Sequence, residues 1–151
     1  MKKGILLGAV CVLLSLPLSA QTADYVTEML GTAAATYAQV SYISAVCQGL
    51  VGDSAAEQDA FNALSADGQL PAGAEADATV TLETLSYMMA KIWGVRGGFM
   101  CRLTNGSPRY VFRQFKADGI LPADADPSES VPGSGVLDMY TVCRSVYGSE
   151  K

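Results

Sequence analysis

Between residues 36 and 94, apolar side chains recur at helical spacing in two blocks. Val40, Ile43 and Cys47 lie three and four apart, and 45 positions further on Leu85, Met88 and Ile92 repeat the rhythm. Residues three and four apart share one face of a helix. The positions between them repeat too: Ser41 with Ser86, Tyr42 with Tyr87, Ala45 with Ala90, Gly49 with Gly94 and Gly52 with Gly97. Even the lead-ins, Ala35-Thr36 and Val80-Thr81, resemble each other. Each block is predicted as a helix closed by a glycine, the residue that tolerates the left-handed turn at a helix end.

A second match joins other parts of the chain. The stretch FNALSADGQLPAGAEADATV, from Phe61 to Val80, aligns with FRQFKADGILPADADPSESV, from Phe112 to Val131, without a gap at an offset of 51. Three extra residues around Gly133-Ser134-Gly135 then bring the second helix onto Val142 to Val146, closed by Tyr147-Gly148. Phe61 with Leu64, and Phe112 with Phe115, are three apart on a first helix. Helix punctuation agrees: Ser54 with Glu57 forms a capping-box pattern, Ser107 precedes Pro108 at a first helical position, and Asp67-Gly68 and Asp118-Gly119 are stops. A Pro-containing loop follows each, leading to a second helix that begins near Thr81 or Ser134. Upstream, Ala23 to Leu50 reads as helical with a break near Gly31-Thr32. The expectation is an all-α fold of helix-loop-helix repeats with approximate threefold symmetry. It comprises a half repeat over residues 36–52, repeat 1 over 53–97 and repeat 2 over 107–148. Faces that cannot be buried alone must share one core.

The start of the chain changes the setting. Lys2 and Lys3 precede an apolar run from Ile5 to Leu16, then Pro17 and the small residues Ser19 and Ala20. This is the layout of a secretory signal peptide over residues 1–20, and the run is shorter than the roughly 20 residues that span a bilayer. Cys11 sits mid-run behind Gly8-Ala9-Val10, so lipidation is not expected. Residues 21–151 then form one domain with no transmembrane segment, placed in the periplasm or cell envelope. Export meets oxidising conditions, so Cys47, Cys101 and Cys143 stand either as one disulfide with a spare thiol or as buried small hydrophobes. The apolar helix faces carrying Cys47 and Cys143 favour burial.

The chain has no histidine, which excludes Ser-His-Asp and Cys-His catalysis and the usual His-containing metal sites. Charge is divided: Gln21 to Ala90 holds nine acidic residues and no Lys or Arg, whereas Lys91 to Lys151 holds eight basic and six acidic ones. From residue 21 on the net charge is −7, which with export argues against nucleic acid as a partner.

The stretches AFNALSADGQLPAGAEADATVTLETLSYMMAKIWG and YVFRQFKADGILPADADPSESVPGSGVLDMYTVCRSVYG resemble S-layer homology repeats: a helix, a Gly-Ile or Gly-x-Leu turn, a Pro- and Asp-containing loop, a Val-Thr step and a second helix. The likeness spans residues 36–148, and the layout is also similar to exported spirochaete envelope proteins that carry such repeats. It implies a pseudo-threefold helical bundle whose grooves bind cell-wall polysaccharide or peptidoglycan-linked polymer. The family's grooves depend on an Arg in a Thr-Arg-Ala-Glu type motif. Here Val80-Thr81-Leu82-Glu83 keeps the Thr and puts Leu82 in the Arg position, and Val131-Pro132-Gly133-Ser134 lacks both.

The basic run offers a substitute. Lys91, Arg96, Arg102, Arg109, Arg113 and Lys116 follow one another with no carboxylate among them. Arg109 and Arg113 share a helix face with Lys116 a turn on; such guanidinium groups grip carboxylates or phosphates, and Trp93 and Tyr110 can stack on a sugar or partner. The competing account is a solvated face, or pairing with the acidic half through Asp53, Glu57 and Asp59. Gly94-Val95-Arg96-Gly97-Gly98 lacks the Lys-Ser/Thr and strand of a phosphate loop and reads as a connector. The loop acids Glu75 and Asp77, and Asp124, Asp126 and Glu129, read as caps and solvated groups rather than a calcium or catalytic site. Asn105-Gly106-Ser107 reads as a turn before a helix, and Tyr87, Met88, Met89, Trp93, Met139 and Tyr140 as core. No cofactor or metal is expected. The reading is a non-catalytic exported protein that binds cell-wall glycan or anchors an envelope component. The alternative is a periplasmic protein-interaction subunit of a larger envelope or motility assembly.

Overall fold

A computed structural model describes residues 18–148. The fold is all-α. In chain order the helices are α1 (Leu18–Gly31), α2 (Tyr37–Gln48), α3 (Glu57–Ala66), α4 (Leu82–Trp93), α5 (Phe99–Leu103), α6 (Pro108–Ala117) and α7 (Gly133–Tyr147). The expected signal peptide lies outside the described residues up to position 17, and the chain is taken up at Leu18 in α1. No described helix is long and apolar enough to cross a membrane.

Local chemistry accounts for the long helices. Thr36 caps α2 and Thr81 caps α4, each side chain accepting from the backbone three residues on, while Gln39 and Thr84 return a bond to the cap's own N–H. Two orphan donors are thereby met at each end. Gly49 and Gly94 close these helices in the left-handed conformation, with φ of 70° and 65°. The stops at Asp67 and Asp118 also stand where the pattern puts them.

Other starts differ from expectation. Helix α3 begins at Glu57 behind Ala56, with no side-chain cap, so the Ser54–Glu57 capping box is not formed. The Glu57 carboxylate instead accepts a 2.7 Å bond from the Tyr25 hydroxyl of α1. Ser107 holds the cap position of α6 without a side-chain bond; Pro108 at the first turn has no N–H to satisfy. Helix α7 starts at Gly133, one residue before Ser134. Helix α5 is an element that the hydrophobic pattern does not announce.

The helices are gathered by backbone bonds rather than by a sheet. Ala35 N–H donates to the Val131 carbonyl at 2.8 Å, Val131 N–H to the Val80 carbonyl at 3.3 Å, and Val80 N–H to the Ala35 carbonyl at 2.9 Å. These bonds close a ring among three positions that the internal sequence matches pair, all of them buried. Two residues further on, the first N–H of α2, α4 and α7 reaches the segment leading into another helix: Tyr37 to Ala78, Leu82 to Glu129 and Gly133 to Thr32. At α2 and α4 the second N–H is met in the same way, Ala38 by the Ala76 carbonyl and Glu83 by that of Pro127, so these two starts keep no orphan donors.

Packing follows the same cycle. Helix α2 lies on α3, α4 on α6, and α7 on α1. The core between them holds Met29, Leu64, Leu85, Met88, Met89 and Phe115, each essentially out of water. Each such side chain contributes about 1.5 to 3 kcal/mol. On α6, Val111, Phe112 and Phe115 face inward and the charged residues outward, a one-sided surface helix. Cys143 joins the core, but Cys47 is exposed, two residues past Ala45, the last buried residue of α2; its expected burial does not hold.

The join between α1 and α7 is the tightest place in the fold. A Cβ on Gly133 would lie 1.8 Å from the Met29 carbonyl oxygen. Gly133→Ala is therefore expected to lower stability by about 2 to 3 kcal/mol and the Tm by about 10 °C. Gly31→Ala, with no atom within 4 Å of the added carbon, leaves the Tm unchanged in the same thermal scan. The buried hydroxyls of Ser41 and Ser44 have no hydrogen-bond partner among the described residues. Ser41→Ala and Ser44→Ala are each expected to be neutral or stabilising, by up to about 1 kcal/mol in urea titration, because an unbonded hydroxyl gains nothing from burial.

Candidate functional site

A groove that combines aromatic and charged groups opens where α4, α6 and α7 end. It has a volume of about 510 Å³ and is lined by Trp93, Arg96, Gln114, Asp118 and Tyr147 around the Gly94–Gly97 connector. Each side chain arrives by a different local rule. Trp93 is the last residue of α4, displayed because Gly94 turns the chain away. Asp118 is the residue that stops α6, and Tyr147 closes α7.

A short polar chain sets the floor of the groove. The Tyr147 hydroxyl donates to Asp118 Oδ2 at 2.6 Å, and the Gln114 Nε2 amide donates to Asp118 Oδ1 at 2.8 Å. Gln114 Oε1 in turn accepts from the Gly98 N–H at 2.8 Å, tying the connector to α6. The connector has little freedom there, since a Cβ on Gly97 would come within 2.7 Å of Cys101 Cβ. Asp118 is held by two donors yet exposed, and a carboxylate has lone pairs for further donors. Trp93 and Tyr147 are half-buried and braced by rings, Trp93 against Tyr140 at 5.5 Å and Tyr147 against Phe115 at 6.1 Å between centroids. Two rigid aromatic bodies, an oriented carboxylate and an exposed guanidinium suit a ligand with an apolar face and many hydroxyls.

The candidates named from the sequence divide among three surfaces. Trp93 and Arg96 meet in this groove. Arg96 also lines, with Lys91 and Arg102, an adjoining groove of about 450 Å³. Tyr110 and Arg113 line a third depression against α5, with the Arg113 guanidinium 5.8 Å from the Tyr110 ring centroid. Lys116 lies over the Phe112 ring at 4.9 Å and donates to the Ala123 carbonyl at 3.0 Å, so it braces the loop after α6. Arg109 is exposed and lines none of these grooves. Gln114, Asp118 and Tyr147 escaped sequence reasoning because each already had a structural reading as a helix residue or a helix stop.

Leu82, which stands where the resemblance puts an arginine, lines a groove of about 260 Å³ with Ile120, Leu121, Val131, Met139 and Val142. That groove is apolar, with Glu129 and Asp138 at its edge, and has no cation to hold an acidic polymer. In the loop below it, Asp126 accepts from both the hydroxyl and the N–H of Ser128, and the hydroxyl bond first, then the backbone one, holds its pKa below the usual carboxylate value. It closes a turn, as loop acids were expected to do. Against known proteins, no family model, curated protein or solved structure matches the chain.

The three described cysteines are free. Burial pushes the Cys101 thiol up and the Cys143 thiol up to about 12, so both stay protonated near neutrality. Labelling of the folded protein with a thiol reagent at pH 8, followed by peptide mass spectrometry, is expected to modify Cys47 first. Cys101 and Cys143 should lag by about tenfold or more until the chain is denatured. The raised Cys143 pKa also has a stability consequence. Its contribution is complete below the unfolded value near 9 and is lost as pH rises through about 12. Cys143→Ser should flatten the alkaline limb of a Tm-against-pH profile in that window.

Proposed function

We propose that this is an exported, non-catalytic cell-envelope protein, built from three helical units of the S-layer homology kind, that holds cell-wall glycan in the groove of Trp93, Arg96, Asp118 and Tyr147. The observation that carries the reading is the convergence of two aromatic rings, an oriented carboxylate and a guanidinium in one groove where helical units meet. The cyclic bonding of Ala35, Val80 and Val131 supports the threefold part of the reading. Sugar rings offer apolar C–H faces to Trp93 and Tyr147, and their hydroxyls donate to Asp118 and accept from Arg96. With Leu82 in place of the motif arginine, binding rests on this groove and not on the one the resemblance indicates.

The test is co-sedimentation with purified cell-wall sacculi. Wild-type protein is expected to pellet with them, and Arg96→Ala and Asp118→Asn to lose about tenfold in retention, a 1.4 kcal/mol effect. Arg109→Ala should behave as wild type, because Arg109 is outside the groove. Failure of wild type to pellet would overturn the glycan reading in favour of a periplasmic protein-interaction subunit.

A further inference from the structure

Helix α5 stands apart from the pattern that explains the other elements. It turns only Cys101 inward, while Phe99 is 77% exposed, Leu103 66% and Met100 43%. Single apolar residues on a surface are ordinary, but three on one turn of helix mark a contact. The core does not account for them, since α5 adds only Cys101 to the buried set.

Cations stand on two flanks of the helix, while the Asp118 carboxylate acts on Cys101 from its inner side. Arg102 projects from α5 itself and shares with Lys91 and Arg96 the groove of about 450 Å³ on one flank. On the other flank Phe99 and Met100 border the depression of about 340 Å³ that Tyr110 and Arg113 complete. Arg109 is exposed on the following helix. No carboxylate occurs between Lys91 and Lys116, and Asp118 beyond them is turned to Tyr147 and Gln114.

We propose that α5 docks the protein onto an anionic phospholipid surface. Phe99, Met100 and Leu103 enter the boundary between headgroups and acyl chains, and Lys91, Arg96, Arg102 and Arg113, which line the two depressions beside α5, take up the lipid phosphates. Magnitudes favour lipid over a protein partner. A stable protein interface buries about 800 Å² on each side, whereas three side chains offer only a few hundred Å². A bilayer needs no matching surface: each cation near an anionic leaflet contributes about 1 kcal/mol, and inserted apolar groups add to that. The contact is peripheral, reversible and weakened by salt.

The test uses protein purified after export, its N-terminus read by mass spectrometry, and vesicles of phosphatidylglycerol mixed with phosphatidylcholine or of phosphatidylcholine alone. Wild type is expected to co-sediment with the anionic vesicles about tenfold better than with the neutral ones, and to be released by high salt. Phe99→Ser/Leu103→Ser and, separately, Arg102→Glu should each lower binding about tenfold with unchanged circular dichroism and Tm, because all three residues are exposed. These positions lie outside the glycan groove, so sacculus binding should persist in the variants. Absence of wild-type binding to anionic vesicles, or undiminished binding by the double variant, overturns the proposal. Self-association of wild type that the double variant abolishes, without vesicle binding, overturns it in favour of a contact between copies.

Discussion

The ring of peptide bonds through Ala35, Val80 and Val131 is the constraint on which the remaining architecture depends. Three stretches of extended backbone meet at the buried centre of a helical protein, where an unbonded N–H or carbonyl is costly. Each stretch bonds the next, at 2.8, 3.3 and 2.9 Å, so the demand is met only when all three are present. Immediately outside the ring the starts of α2, α4 and α7 take carbonyls from neighbouring segments. The starts of three helices are thereby held together at one point.

Closing the ring also explains where the chain departs from its own pattern. The connection from α1 to α2 runs over residues 32–36, whereas those from α3 to α4 and α6 to α7 run over 67–81 and 118–132. The short connection pulls the Met29 carbonyl against the start of α7, and only glycine fits there. The other departure, α5, lies between α4 and α6 on the outer side, where no ring bond constrains it. Extra residues there cost the core nothing and place apolar and cationic side chains at the surface.

Much of the helical plan was legible in the chain. Thr81 before an apolar row, and Gly49 and Gly94 after such rows, announce helix ends by local chemistry, and the structure places these three where that chemistry puts them; the cap at Thr36 stands inside the stretch that reads as helical from Ala23 to Leu50. Legibility fails where a side chain has a choice of partner. Glu57 could serve its own helix start or Tyr25 of α1, and the nearby phenol wins. Cys47 sits on an apolar row, but burial depends on what lies opposite, and α2 outruns the core at that point. The seven candidate site residues were chosen by type and spacing along one stretch, and they spread over different surfaces because α4, α5 and α6 point different ways.

What the sequence determined by itself is the helices other than α5 and their approximate ends, since these rest on contacts within a few residues: caps, left-handed stops and apolar spacing. The charge division is equally a property of the chain alone. Which side chains share a groove was decided only by the tertiary structure. Trp93, Asp118 and Tyr147 are 25 or more positions apart, and no local pattern links them. They meet because α4 packs on both α6 and α7, and contact between elements so far apart in the chain leaves no local pattern in the residues it brings together.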